Sequence, residues 1–168
     1  MRYVLFILTA MILTATPVFG VAAGESVFGI WLTDGGLSKL EIAPCGDKAC
    51  AHVVWLKNST YMNSTDGPVG TEKIDRHNPD PALRNRPILG IQVMDGLTLE
   101  GDWWKNGYCY DPQSGSNYQC KMRLESANEL KIRGFVGFSI LGRSYTLTRD
   151  LSVVQRSSDH RASRGISP

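Results

Sequence analysis

The stretch Phe28-Gly29-Ile30-Trp31 decides how this chain is read. It is an apolar, extended segment with a glycine two residues before a tryptophan. Strand side chains alternate with period two, so the bare glycine backbone and the large ring fall on one face. Such a ring needs cover. The last apolar-alternating segment, Tyr145-Thr146-Leu147-Thr148-Arg149, ends in a cation suited to it. A guanidinium over an indole face stabilises by roughly 0.5–2 kcal/mol, more when water is excluded. If Trp31 and Arg149 meet, the first and last strands are neighbours and the sheet closes into a barrel.

Between these two segments the pattern is one of short strands. After residues 27–33, Asp34-Gly35-Gly36 reads as a hairpin turn. Residues 37–43 alternate cleanly, with Leu40 and Ile42 on one face and Lys39 and Glu41 on the other. Residues 51–57 continue the meander. Strands are also expected over 88–94, 103–111, 116–124, 129–136 and 141–149, with a brief extended piece at 97–100. The spacing predicts an all-β fold, an antiparallel up-and-down barrel of about eight strands, wide enough to pack shut or to hold one small ligand. One long loop, 58–87, interrupts it. Loops beyond ~12–15 residues are uncommon in compact domains and often functional. Within it, Asn78-Pro79-Asp80-Pro81-Ala82-Leu83-Arg84 carries helix-start signals and predicts a short helical turn with Asn78 as the capping residue.

The chain has 168 residues, 42% of them hydrophobic, and a formal charge of +2. Residues 1–23 read as a secretory signal peptide: Arg2, then the apolar run from Tyr3 to Ala15, then small residues with Val21-Ala22-Ala23 as the cleavage site. The run is short for a membrane anchor, which needs ~20 residues. Removing it takes away one arginine and leaves +1, too weak a field to suggest nucleic acid or an anionic membrane surface as partner. Residues 24–150 form one domain, and 151–168 a disordered basic tail. The expected location is periplasmic or secreted.

Export favours disulfides for the four cysteines, Cys45, Cys50, Cys109 and Cys120. Four cysteines allow three pairings, and local pairing is favoured by chain geometry. Cys45 and Cys50 bracket a tight turn. Cys109 and Cys120 flank Asp111-Pro112-Gln113-Ser114-Gly115 and are expected opposite or nearly opposite on a hairpin, within bridging reach. Zinc is the rival reading, and the spacings fit it poorly. No metal and no cofactor are expected.

Taken together, the ordered motifs resemble a known family. They are Gly29-x-Trp31, Leu40-Glu41-Ile42-Ala43-Pro44-Cys45-Gly46, Val53-Val54-Trp55-Leu56, the run from Asp75 through Asn78-Pro79-Asp80-Pro81, Leu83-Arg84 and Arg86-Pro87 to Gly90, then Gly107, Tyr110-Asp111-Pro112, Gly115 and Tyr118, and finally Leu130 with Arg133-Gly134-Phe135-Val136-Gly137. The string resembles domain-of-unknown-function family 2147, a family of exported bacterial proteins, across nearly the whole mature chain. The resemblance implies a lipocalin-like barrel of the calycin type. In calycins a Gly-x-Trp on the first strand packs with an arginine on the last, and Gly29, Trp31 and Arg149 match those positions. The tryptophan often seen just before that arginine is replaced here by Leu147. The family carries no settled activity, so no catalytic residues transfer.

The densest polar cluster is Asp75, His77, Asn78, Asp80, Arg84 and Arg86. As a ligand site it would grip an anion through Arg86, oriented by Asp75, with Asn78 beside them. As structure, it would knit the long loop together by caps and ion pairs. The aromatic hairpin, with Trp103, Trp104, Tyr108, Tyr110 and Tyr118, would stack on a sugar or line an apolar pocket, with Trp103 and Tyr108 as its ligand contacts; ordinary cross-strand pairing is the structural alternative. His77 beside Asp75 is the one arrangement suited to acid–base chemistry, with His52 a second imidazole. No catalytic motif is recognisable: neither HExxH nor a Gly-x-Ser-x-Gly elbow is present. The leading expectation is therefore a non-enzymatic barrel binding a small apolar or amphipathic molecule. A packed envelope interaction module is the alternative, and an envelope hydrolase using Asp75 and His77 is third.

Overall fold

A computed structural model describes residues 26–137 and 142–152. The expected signal peptide and residues 153–168 of the expected tail lie outside the described residues. Eight strands form a closed barrel in sequence order: β1 (Gly29–Leu32), β2 (Ser38–Cys45), β3 (Lys48–Leu56), β4 (Gln92–Glu100), β5 (Trp103–Asp111), β6 (Ser116–Ser126), β7 (Glu129–Phe135) and β8 (Gly142–Arg149). Every pairing is antiparallel, and β1 closes the ring against β8 with Trp31 opposite Arg149. Among the described residues no helix is long and apolar enough to cross a membrane.

Three local readings change in detail. Asp34–Gly36 does join antiparallel β1 and β2 as a hairpin connection, and takes the form of a 3-10 turn. Residues 92–94 of the expected 88–94 piece are joined to 97–100 in one strand, β4, which passes through Gly96 at φ +74 while the β3–β4 register slips nearby; residues 88–91 belong to the loop. Only glycine adopts that backbone cheaply, so a bend that reads in sequence as a break is carried inside the strand. In the long loop the short helix is Pro81–Leu83 and its cap is Asp80, whose carboxylate accepts from Ala82 N–H; Asn78 acts one step earlier, accepting from Asp80 N–H.

Up-and-down topology puts alternate turns at opposite ends. The β2–β3, β4–β5 and β6–β7 turns and the start of β1 share one end, the base. The β1–β2 and β5–β6 turns and the long β3–β4 loop share the other, the mouth. Strand register then gives the inward face. At the base it carries Trp31, Leu97, Met122 and Leu130, all with no exposed surface, with Ile42, Ala49 and Ala51 filling between them. Phe28 and Trp104 meet edge to face at 5.4 Å and add to this floor. Toward the mouth, the inward positions Leu40, Leu56, Cys109 and Tyr118 are only half-buried, while Arg143 and Tyr145 are exposed.

Candidate functional site

The base is sealed by the residues that first suggested a barrel. The Arg149 guanidinium lies 4.1 Å from the centroid of the Trp31 ring. Its Nε donates to Ala127 O at 2.7 Å, Nη1 to Phe28 O at 3.1 Å and Nη2 to Ser26 O at 2.6 Å. Trp31 Nε1 donates to Val27 O at 2.8 Å. The N-terminal segment is thus strapped under the barrel. Gly29 makes this possible: it sits at φ +128, and a Cβ there would stand 3.1 Å from Arg149 Nη1. Partial burial lowers the Arg149 pKa from its ordinary value.

Near the mouth, Asp75 is fully buried and holds a second cluster together. Tyr110 OH donates to its Oδ1 at 2.5 Å; Asn78 Nδ2 and Arg86 Nε donate to its Oδ2 at 2.7 and 3.0 Å, and Arg86 Nη2 lies 2.9 Å away. Asn78 Nδ2 also reaches Tyr110 OH at 3.1 Å. Burial first, then the bond to Asp75, push the Tyr110 hydroxyl up to about 12. Tyr110 alternates with the inward Cys109, so it faces outward, and the loop clamps the barrel wall from outside. Gly115 completes the dock: a Cβ there would stand 1.9 Å from His77 O.

Asp75, Asn78 and Arg86 therefore come together as expected, but around each other. Arg86 is committed to Asp75, so its proposed grip on an anionic ligand lacks a free guanidinium. His77 is exposed and, among the described residues, no hydrogen bond joins it to a carboxylate. Trp103 and Tyr108 are not part of this cluster; they stand on the outer wall of β5. The sequence places Tyr110 among the hairpin aromatics and in the family string, with nothing to mark it as the hydroxyl that completes the Asp75 shell. The nearest signal is general: a buried loop carboxylate needs several donors, and a tyrosine sits one residue before the Asp111 turn.

The cysteines divide. Cys45 and Cys50 form a disulfide with Cα atoms 5.9 Å apart. Cys109 and Cys120, expected as a second bridge, are both thiols. They are not opposite: Cys109 pairs with Tyr118, and Cys120 with Gly107. This is the same diagonal that Cys45 and Cys50 occupy, so register alone does not forbid a bond. Cys120 is buried opposite Gly107 and Gly134, Cys109 is half-buried, and the two thiols share a hydrogen bond. That hydrogen bond, then burial, push the Cys109 thiol well above its ordinary range and keep it protonated. Among the described residues no group of three or more His, Cys, Asp or Glu side chains is placed to hold a metal ion.

The barrel resembles a solved structure from Helicobacter pylori, the protein HP1028, described as belonging to the lipocalin family. The two superpose with a TM-score of 0.65 at 21% identity, over 79% of this chain and 88% of that one. At that identity the likeness speaks to fold, and the fold is a lipocalin-like eight-stranded barrel. No curated protein matches the chain. Residues 29–149, from the glycine of the first strand to the arginine of the last, match the family described as "Uncharacterized protein conserved in bacteria (DUF2147)", and the chain belongs to that family.

Proposed function

We propose that this is an exported, non-enzymatic barrel that binds a small amphipathic molecule at its mouth, in the bacterial cell envelope. The observation that carries this reading is the contrast along the inward face. The base positions are dry and filled, whereas Tyr145, on the same face of β8 as the buried Leu147, is 49% exposed. A cylinder closed at one end and wetted at the other is a cup. Its wall offers Leu40, Leu56, Tyr118 and Tyr145 to an apolar body, and Arg143 stands at the rim for an anionic head. This transfers the anion-binding role from Arg86 to Arg143, which has no carboxylate partner among the described residues. The apolar leader at residues 1–23 supports export.

Native mass spectrometry of the protein purified from a bacterial host tests it. A bound small molecule is expected, reduced in occupancy by Arg143→Gln and by Tyr145→Ala. Ligand-free spectra from wild type, with both variants identical to it, would overturn the reading. The filled base favours a second reading, the packed interaction module, in which the outer wall meets the partner; ligand-free spectra would then stand beside a co-purifying protein.

A further inference from the structure

The outer wall of β5 and β6 carries a hollow that neither the Asp75 clamp nor the cup accounts for. The β5–β6 register slips between Trp104 and Gly107, and Asn106 within the bulge is held at φ +63. Bulges re-aim side chains and recur beside sites. Gly107 explains the hollow. A Cβ there would lie 2.5 Å from Leu97 Cγ and 2.6 Å from Asp95 O, so only glycine lets the strand sink this far toward the core. The result on the outside is a groove of about 450 Å³, bordered by Lys105, Asn106, Tyr108, Gln119, Lys121 and Phe135. That volume lies within the ~300–1,000 Å³ of small-ligand sites.

The chemistry of this border is specific. Tyr108 is 58% exposed and Phe135 half-buried, so two aromatic side chains border the groove with surface open to solvent. The Gln119 carboxamide supplies both donor and acceptor, while Asn106 Nδ2 donates to Glu100 Oε1 at 2.6 Å and leaves its Oδ1 as an acceptor. Two ammonium groups flank them. Lys105 Nζ is 3.5 Å from the exposed Glu100 carboxylate, a pair that exchanges readily with a ligand. Lys121 Nζ stands 4.7 Å from the centroid of the Trp103 ring, and Arg123 Cζ 4.6 Å from the same centroid. Aromatic faces match the C–H face of a pyranose ring, carboxamides match its hydroxyls, and ammonium groups match a carboxylate. We infer that this groove binds an acidic saccharide, a uronate-type sugar unit with its ring against Tyr108 and Phe135 and its carboxylate between Lys105 and Lys121.

The experiment is calorimetric titration of the folded, disulfide-intact protein with tetragalacturonate, alongside its methyl ester. Binding is expected to the acid form, with the ester weaker by about tenfold, because esterification removes the charge that the ammonium groups recognise. Raising the ionic strength is expected to weaken the acid form toward the ester, since these charges are solvent-exposed. Tyr108→Ala and Lys121→Gln are surface changes and should each weaken binding about tenfold, roughly what one good contact is worth. Lys131→Gln, on the same wall beyond the groove, should leave affinity unchanged. No binding, equal affinity for acid and ester, or insensitivity to both groove variants would overturn the inference. Loss of binding in Arg143→Gln would also overturn it, by moving the sugar to the mouth; an unchanged Arg143→Gln separates this site from the cup.

Discussion

Two arginines hold this barrel together, one sealing its base and one pinning the long loop against its outer wall, and they do so by opposite physics. At the base, Arg149 meets a ring face and three backbone carbonyls, all neutral partners. Near the mouth, Arg86 meets a carboxylate that is itself wholly buried. The base is an apolar plug with a charged cover, so most of its stability comes from removing Trp31 from water. The clamp is a polar shell around one anion, so its stability depends on every donor being present. The first tolerates a change in its cover better than a change in its plug. The second fails by whichever member is removed, and fails locally, because its loop lies outside the wall.

Four outcomes would break or sharpen this contrast. Trp31→Ala should lower the free energy of unfolding by ~3–5 kcal/mol, read from a denaturant midpoint, because it opens a cavity in the floor of the barrel. Asp75→Ala should cost ~2–3 kcal/mol, since it strands the Tyr110 hydroxyl and the Asn78 amide. The Arg86 side chain, 37% exposed, regains water and softens the loss. Hydrogen exchange should show this change concentrated in residues 58–91. If Asp75→Ala matches Trp31→Ala, or spreads through all eight strands, the contrast between plug and clamp is wrong.

Gly115→Ala should undock the same loop at ~1–2 kcal/mol, combining the strain of a left-handed backbone with the collision at His77 O. It leaves every member of the Asp75 shell in place, so an exchange pattern like that of Asp75→Ala would show that docking and shell are one unit.

The smallest effects are in pH. Beside the base, Lys39 Nζ bonds Asp150 at 2.6 Å, and this bond, helped by Ser152, lowers the Asp150 pKa to about 2 from 3.8. A depressed carboxylate contributes stability above its unfolded value and loses it as pH falls from about 4 toward 2. Tyr110 runs the other way. Its pKa is raised from 10.0 to about 12, so its contribution is complete below pH 10 and is lost as pH climbs toward 12. Lys39→Met should flatten the acid limb and Tyr110→Phe the alkaline limb, each by ~1 kcal/mol or less. Stability curves of the two variants against wild type check this.

The base was legible because its logic is local and periodic. Gly29 and Trp31 share a face by strand alternation, and a terminal arginine on another alternating segment is the natural cover. The Asp75 loop was legible in membership but not in direction. Asp75, Asn78 and Arg86 stand close in sequence, yet which of them was free for a ligand depended on Tyr110, a residue on a strand beyond the loop. The Cys109–Cys120 pair shows another limit. The turn signal placed the two strands together in a register that matches the Cys45–Cys50 bridge, yet these two side chains stand as thiols.

From the sequence alone came the strand count, the closure of the ring and the sealing contact at its base, because apolar alternation is a short-range pattern and Gly29-x-Trp31 and Arg149 mark the two end segments as complementary. Which arginine is committed, which inward positions stay wet at the mouth and where the outer wall sinks into a groove were decided only in three dimensions. Those features arise from register, bulges and the mutual satisfaction of buried polar groups, and each depends on what a distant strand brings to the same place.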